Sequence, residues 1–254
     1  MNHSRLAGIA GLSHIGRRRR NNQDAIAWDA ELGLALVADG VGGGNAGEIA
    51  SATAVRSIAG DLRSAMLQTR TTSKPTSRTS QSALTQELVR RANQRILAAA
   101  GREPSLHGMR TTLAMTLLAG DFVTIANLGD SRVYRVRRGT LTQLTRDHRL
   151  VDELNAQRQL TVGEIERSTL GSTLSRALGL PGSLEADIEH HALASGDLFM
   201  LCTDGLTNAV PDAEIEEILS CAGEQLGDAA NAAVAMANRR GGHDNISVIV
   251  LRIA

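Results

Sequence analysis

Residues 32–51 read LGLALVADGVGGGNAGEIAS, an apolar run that stops at Asp39-Gly40 and passes through glycines into helix-forming sequence. Leu32–Ala38 has strand length, and Ala25–Asp29 just before it reads as a second strand joined by a tight turn. From Ala46 to about Leu67 the apolar residues Ile49, Val55, Ile58, Leu62 and Met66 recur at helical spacing. Two adjacent strands followed by a helix suggest a hairpin, so the pattern points to an α+β fold and away from repeating βαβ units.

The remaining chain extends this pattern. Gln68–Ser82, rich in Thr, Ser, Arg and Lys, reads as a mobile loop before an amphipathic helix at about Ala83–Ala100. Residues 111–144 alternate apolar and polar with turns at Ala119-Gly120 and Arg138-Gly139, the pattern of a strand meander. The polar stretch 149–169 is expected to be helical, His190-His191 to lie on a surface strand, and Asp197–Thr203 to form a buried strand. Helices at about 212–221 and 224–239 and a last strand at Asn245–Ile253 complete the reading.

Composition excludes several function classes. Aromatics make up 2% of the chain, so the core must be built from aliphatic side chains and Met. With 27 basic and 27 acidic residues the net charge is zero, so no nucleic-acid or membrane partner is expected. No apolar run approaches the length of a membrane span, and no signal peptide is recognisable. Two cysteines, Cys202 and Cys221, make neither a disulfide framework nor a metal-binding C-x-x-C pair, and a cytoplasmic monomer is expected.

Four aspartates share one context, beside an apolar strand and next to glycine or a small polar residue: Asp39, Asp130, Asp204 and Asp244. Asp-Gly is also a hairpin-turn signal, but Asp39 and Asp204 precede helices, so no two-residue hairpin is closed there. Carboxylates gathered at strand ends would repel one another unless cations neutralise them, and an all-oxygen ligand set suits Mg²⁺ or Mn²⁺. Gly42 to Gly47 also matches G-x-G-x-x-G. A dinucleotide-binding unit, however, needs a second strand ending in an acidic residue, and the polar stretch Gln68–Ser82 stands there instead. The run Arg17–Arg20 reads as a solvated or nucleic-acid-facing patch, yet beside a metal site one guanidinium becomes a natural phosphate partner.

Taken together and in order, these motifs resemble the bacterial type 2C metal-dependent protein phosphatases (the PPM family) from about Gly16 to Val250. G-x-x-R-x-x-N-x-D falls on Gly16, Arg19, Asn22 and Asp24, and D-G-x-G-G with G-E-x-A-S on Asp39–Gly43 and Gly47–Ser51. Thr111-Thr112, Gly129–Arg132, Thr145–His148, Leu174–Gly179, Asp204-Gly205 and Gly241–Asn245 complete the set. The resemblance implies a single domain over 1–254, a four-layer α-β-β-α sandwich with two central antiparallel sheets flanked by helices. A variable flap beside the active site is implied at 149–169.

The implied activity is hydrolysis of phosphoserine and phosphothreonine in proteins by a water bridging two Mn²⁺ or Mg²⁺ ions, opposing a eukaryotic-like Ser/Thr kinase. The resemblance makes Asp39, the Gly40 carbonyl, Asp204 and Asp244 the ligands of the two core ions and places a third ion at Asp130 with Asp204. Arg19 becomes the phosphate clamp, with Gln23, Asp24 and Asn245 in support. Val41 and Gly44 stand where family members carry histidines, Gln23 where many have glutamate, and Arg110 where glycine is usual. The proton donor is therefore not supplied by the resemblance. His148 and His243 read as structural hydrogen-bonders. Rival functions are a phosphatase of a sigma-factor switch, a catalytically weak phosphoprotein-binding module and a dinucleotide-dependent oxidoreductase.

Overall fold

The computed structural model describes residues 5–43, 46–68, 77–151, 154, 173–182 and 184–254. Two antiparallel sheets form its centre. One has the order β1 (Leu6–His14), β11 (Ile246–Ile253), β10 (Leu198–Cys202), β7 (Arg132–Arg137), β8 (Thr140–Gln143). The other has the order β2 (Asp24–Asp29), β3 (Leu34–Val41), β5 (Leu113–Ala119), β6 (Phe122–Leu128), β9 (Asp187–Ala192), with the short β4 (Arg110–Thr111) beside β3. Helices α1 (Ala46–Gln68) and α2 (Arg78–Arg102) cover the second sheet. The short α3 (Asp204–Thr207), α4 (Asp212–Ser220) and α5 (Leu226–Arg239) belong to the first.

Strand alternation builds the layers. In β3, Ala35 and Val37 turn toward the other sheet, meeting Phe199, Leu201, Ile249 and Leu251, while Leu34, Leu36 and Ala38 face Ile58, Leu62, Leu88 and Ile96 of the helices. On the far side Met200, Val248 and Val250 face Ile215, Leu219, Ala233 and Val234. Every residue of β5 and β6 is buried, as expected of strands covered on both faces, whereas the edge strand β8 alternates exposed and half-buried. With few aromatics to fill space, Ala229, Ala230, Ala233 and Ala237 line the buried face of α5, and small side chains let a helix lie close to a sheet.

Two sequence expectations are corrected. Residues 111–144 are not one meander: β5 and β6 form a hairpin in one sheet, then the chain crosses at Asp130-Ser131 to form β7 and β8 in the other. Alternation records which face of a strand is buried but not which sheet the strand joins, so the crossing left no mark in the pattern. The expected loop at 68–82 gives way to α2 from Arg78, since the Ser77 hydroxyl accepts the Ser80 N–H and caps the helix; residues 69–76 lie outside the described residues. Leu6–His14, which carries no distinctive pattern, is an edge strand on β11. Most of the flap expected at 149–169 falls outside the described residues. Among the described residues no helix is long and apolar enough to cross a membrane.

One buried ion pair ties the outer ends of the two sheets. Asp197 accepts from Arg137 Nε and Nη2 at 2.7 and 2.6 Å and from the Ala194 N–H at 2.9 Å, while Arg137 also donates to the Ala192 carbonyl of β9. Burial pushes the Asp197 carboxyl upward, but the Arg137 and Ala194 donors outweigh it and hold the group below the ordinary 3.8. A lowered carboxyl contributes stability above its unfolded value and loses it as pH falls through the folded value. Asp197→Asn should therefore destabilise the protein by about 3 kcal/mol at neutral pH, and the difference should shrink below pH 4. Urea denaturation at both pH values checks this, and a pH-independent difference would rule out the ion pair as its cause.

Candidate active site

Antiparallel pairing collects the aspartates. Asp24 starts β2 directly opposite Asp39 near the end of β3, and in the other sheet Cys202 at the end of β10 lies between Val248 of β11 and Arg132 of β7. Asp204, Asp244 and Asp130, which flank those three positions in sequence, therefore share one end of the sandwich with Asp24 and Asp39. The loops there approach at backbone contact. A Cβ on Gly40 would collide with the Gly47 carbonyl, and one on Gly205 with the Asn245 carbonyl, so only glycine fits either position.

Hydrogen bonds fix each strand end. The Asp39 N–H donates to Thr112 Oγ1 at 2.9 Å, and its carbonyl accepts from the Thr112 N–H and Thr111 Oγ1 at 2.9 and 2.8 Å. Thr112 Oγ1 also bonds Ser131 Oγ at 2.6 Å, linking Asp39 of one sheet to the start of β7 in the other. Asn245 donates through Nδ2 to the carbonyls of Ile15 and Asn21 and accepts the Gln23 N–H, so it positions the whole turn that carries Arg19. The Gln23 carbonyl in turn accepts from the Gly40 N–H and Ser51 Oγ.

Asp24 joins the two sheets. Its Oδ2 accepts from Thr203 Oγ1 at 2.8 Å and Ser247 Oγ at 2.7 Å, while its Oδ1 is buried without a partner. Burial, reinforced by Asp204 and Asp244, raises its carboxyl to about 7 despite those two donors. Asp39 is driven well above the ordinary range by burial and by the Asp24, Asp204 and Asp244 charges, and it shares a hydrogen bond with Asp204. Burial and the neighbouring Asp244 raise Asp204 as well. Asp130 reaches about 6 through burial and the Asp204 charge, against the opposing pull of Arg149. Carboxyls raised together by burial and by one another's charge form a group whose ionised state nearby positive charge would favour.

The donor set fits hard divalent cations. All candidate donors are oxygens, Asp204 Oδ1 is buried and unpaired, and the Arg19 guanidinium lies on Asp244 Oδ2 at 2.6 Å as a stand-in cation. Among the described residues no group of three or more His, Cys, Asp or Glu side chains is placed to hold a metal ion. That suits Mg²⁺ or Mn²⁺ ions that keep several waters and take one or two carboxylates each.

Some participants carry no motif of their own. Arg149 donates to Asp130 Oδ2 at 3.2 Å, and Ser13, Ser247 and Thr203 complete the Asp24 network. A lone Arg or Ser has no periodicity or spacing to reveal it. His148 is the expected structural histidine: Nδ1 accepts the Gly129 N–H at 3.2 Å, which leaves Nε2 to donate to Asp187 at 2.9 Å. Arg110 lies half-buried on β4 opposite Val41, and Gly44 lies outside the described residues. Burial raises the Cys202 thiol to about 12, so it is no nucleophile.

Comparison with known proteins gives one consistent result. A family model described as protein phosphatase 2C matches residues 10–235. The serine/threonine phosphatase stp of Listeria innocua is 36% identical over 239 residues, spanning 93% of this chain and 92% of the relative. The structure of the S. agalactiae serine/threonine phosphatase superposes with a TM-score of 0.84 at 32% identity, covering 97% of this chain and 99% of that one. The catalytic domain of PstP, solved in complex with two manganese ions, superposes with a TM-score of 0.81 at 32% identity, covering 97% and 98%.

Cation binding and carboxylate repulsion lead to opposite effects of one substitution. Asp39→Asn removes a like charge, so the metal-free variant should be at least as stable as the unaltered protein. Mn²⁺ at a hundred times its Kd should stabilise the unaltered protein by about 2.7 kcal/mol per site and the variant by much less. Thermal melts with and without Mn²⁺ check both expectations, and an equal gain in the variant would remove Asp39 from the ligand set.

Proposed function

The chain belongs to the protein phosphatase 2C family and is a protein serine/threonine phosphatase, and from that premise we propose how its residues divide the work. Asp39, the Gly40 carbonyl, Asp204 and Asp244 hold two Mn²⁺ or Mg²⁺ ions, and Asp130 with Asp204 holds a third. The observation that carries this reading is the convergence of mutually repelling carboxyls on one end of the sandwich, with Asp204 Oδ1 left unpaired. Bound there, the ions would supply positive charge for the phosphoryl oxygens and an acidified water for attack on phosphorus.

The protein contributes position and charge. Arg19 has a planar fork that matches two phosphoryl oxygens, and a cation at Asp244 would leave that fork free for them. Asp24, held by Thr203 and Ser247 directly opposite Asp39, braces the strand end that carries Asp39. Asn245 and Gln23 hold the Arg19 turn against the Asp39 loop. The P–O bond breaks, inorganic phosphate leaves, and the protein hydroxyl takes a proton. The substrate must come from a reaction that esterifies Ser or Thr hydroxyls, so a protein kinase is the proposed counterpart. Cys202 and Cys221 are both free thiols, and Cys221 is exposed, which suits a reducing cytosol. We take the working form to be a monomer.

Release of phosphate from phosphoserine and phosphothreonine peptides in Mn²⁺ or Mg²⁺, abolished by a chelator, is the direct test. No turnover with either ion would overturn the assignment. Arg19→Ala should raise KM by roughly tenfold or more with a smaller loss in kcat, because the clamp holds phosphate in ground and transition states alike. A pure kcat loss would argue against a clamp. Asp130→Ala should lower kcat/KM on phosphopeptides more than on p-nitrophenyl phosphate, whose leaving group departs without a proton. Equal losses on both substrates would separate Asp130 from leaving-group chemistry.

A further inference from the structure

Arg17, Arg18, Arg19 and Arg20 follow one another on the turn between β1 and β2, and all four are exposed. The turn is anchored on both sides to the segment that carries Asp244. Gly16 adopts φ +81°, where a Cβ would strike the Asp244 carbonyl, and the Arg17 N–H donates to the Gly242 carbonyl at 2.7 Å. Asn245 Nδ2 ties Ile15 and Asn21 at 2.9 and 3.0 Å. Four guanidiniums therefore stand on a backbone held in register with the phosphate site.

Their partners differ. Arg19 holds Asp244. Elsewhere Arg63, Arg95, Arg132, Arg137 and Arg240 each grip a carboxylate. Among the described residues no carboxylate pairs with the side chain of Arg17, Arg18 or Arg20. Three uncompensated cations on nearly adjacent residues repel one another, and an anion placed between them relieves that repulsion. The run also lies beside a carboxylate cluster that cations neutralise, so it remains the local source of positive field outside that cluster.

We propose that Arg17, Arg18 and Arg20 form a subsite for Asp and Glu side chains flanking the phosphorylated residue, making acidic phosphopeptides the preferred substrate class. The proposal rests on the phosphatase reading above. Arg19 engages the phosphoryl group, and its three neighbours engage the flanks, so selectivity appears in KM and weakens with salt. The anchoring of the turn matters here, since a rigid array loses less entropy on binding than free arginines would.

The test compares two phosphothreonine peptides of equal length, one flanked by Asp and Glu, the other by Asn and Gln, with Mn²⁺ present. At low ionic strength the unaltered protein should prefer the acidic peptide by about tenfold in kcat/KM, falling to about twofold in 0.5 M NaCl. The combined variant Arg17→Gln, Arg18→Gln, Arg20→Gln should show a ratio of about two or less. Arg138→Gln, at the β7–β8 turn at the other end of β7, should keep the tenfold ratio. A ratio near one in the unaltered protein, or a full ratio retained by the combined variant, overturns the proposal. A ratio near one together with salt-sensitive binding of a single-stranded oligonucleotide, lost in the combined variant, assigns the run to nucleic acid and overturns it too. If the unaltered protein cleaves neither peptide, the phosphatase reading itself fails, which is a distinguishable result.

Discussion

Carboxylate repulsion at one end of the sandwich governs much of what surrounds it. Asp24 and Asp39 face each other across an antiparallel pair, where like charges ordinarily destabilise a sheet. Asp204 and Asp244 add to that charge from the other sheet, and burial strengthens every interaction. Burial and mutual repulsion raise Asp24, Asp39 and Asp204, Asp39 and Asp204 share a hydrogen bond, and Arg19 lies on Asp244. The same unfavourable charge is what would favour cations at this end of the sandwich.

Such a site needs a stiff frame, because repelling groups would otherwise move apart. The frame comes from hydrogen bonds that cross between the sheets: Thr112 to Ser131, Thr203 and Ser247 to Asp24, Asn245 to Gln23. Behind them lies an aliphatic core in which Val37, Phe199, Leu201 and Ile249 interlock. The glycines beside Asp39 and Asp204 let the loops touch at backbone distance, with Gly40 against Gly47 and Gly205 against Asn245. In this fold Asp-Gly is thus a device for bringing a carboxylate to a neighbouring loop, with no hairpin turn involved.

Charge is distributed unevenly around this centre. The chain carries no net charge, yet its anionic cluster and its Arg17–Arg20 turn lie side by side. Arg19, lying on Asp244, is where the two charges meet. On the opposite ends of the sheets, Arg137 and Asp197 are paired within the protein and serve stability.

Much of this was legible in the sequence. The β2–β3 hairpin, the helices at 46 and 226, the strand before Asp204 and the aspartates themselves announce their places through periodicity and through glycine next to Asp. The order of motifs then pointed to the family, whose opening motif falls on Arg19 among its three neighbours. The edge strand Leu6–His14 and the partition of β5–β8 between two sheets were not legible, because a strand pattern records which face is buried but not which strand it pairs with. Nor was the pairing of Arg149 with Asp130, or of Asp24 with Thr203 and Ser247, since those partners are far apart in the chain or carry no spacing. Local sequence determined which residues could be ligands; only tertiary packing decided which carboxylates would face each other, because that depends on sheet register and on the burial that turns proximity into charge repulsion.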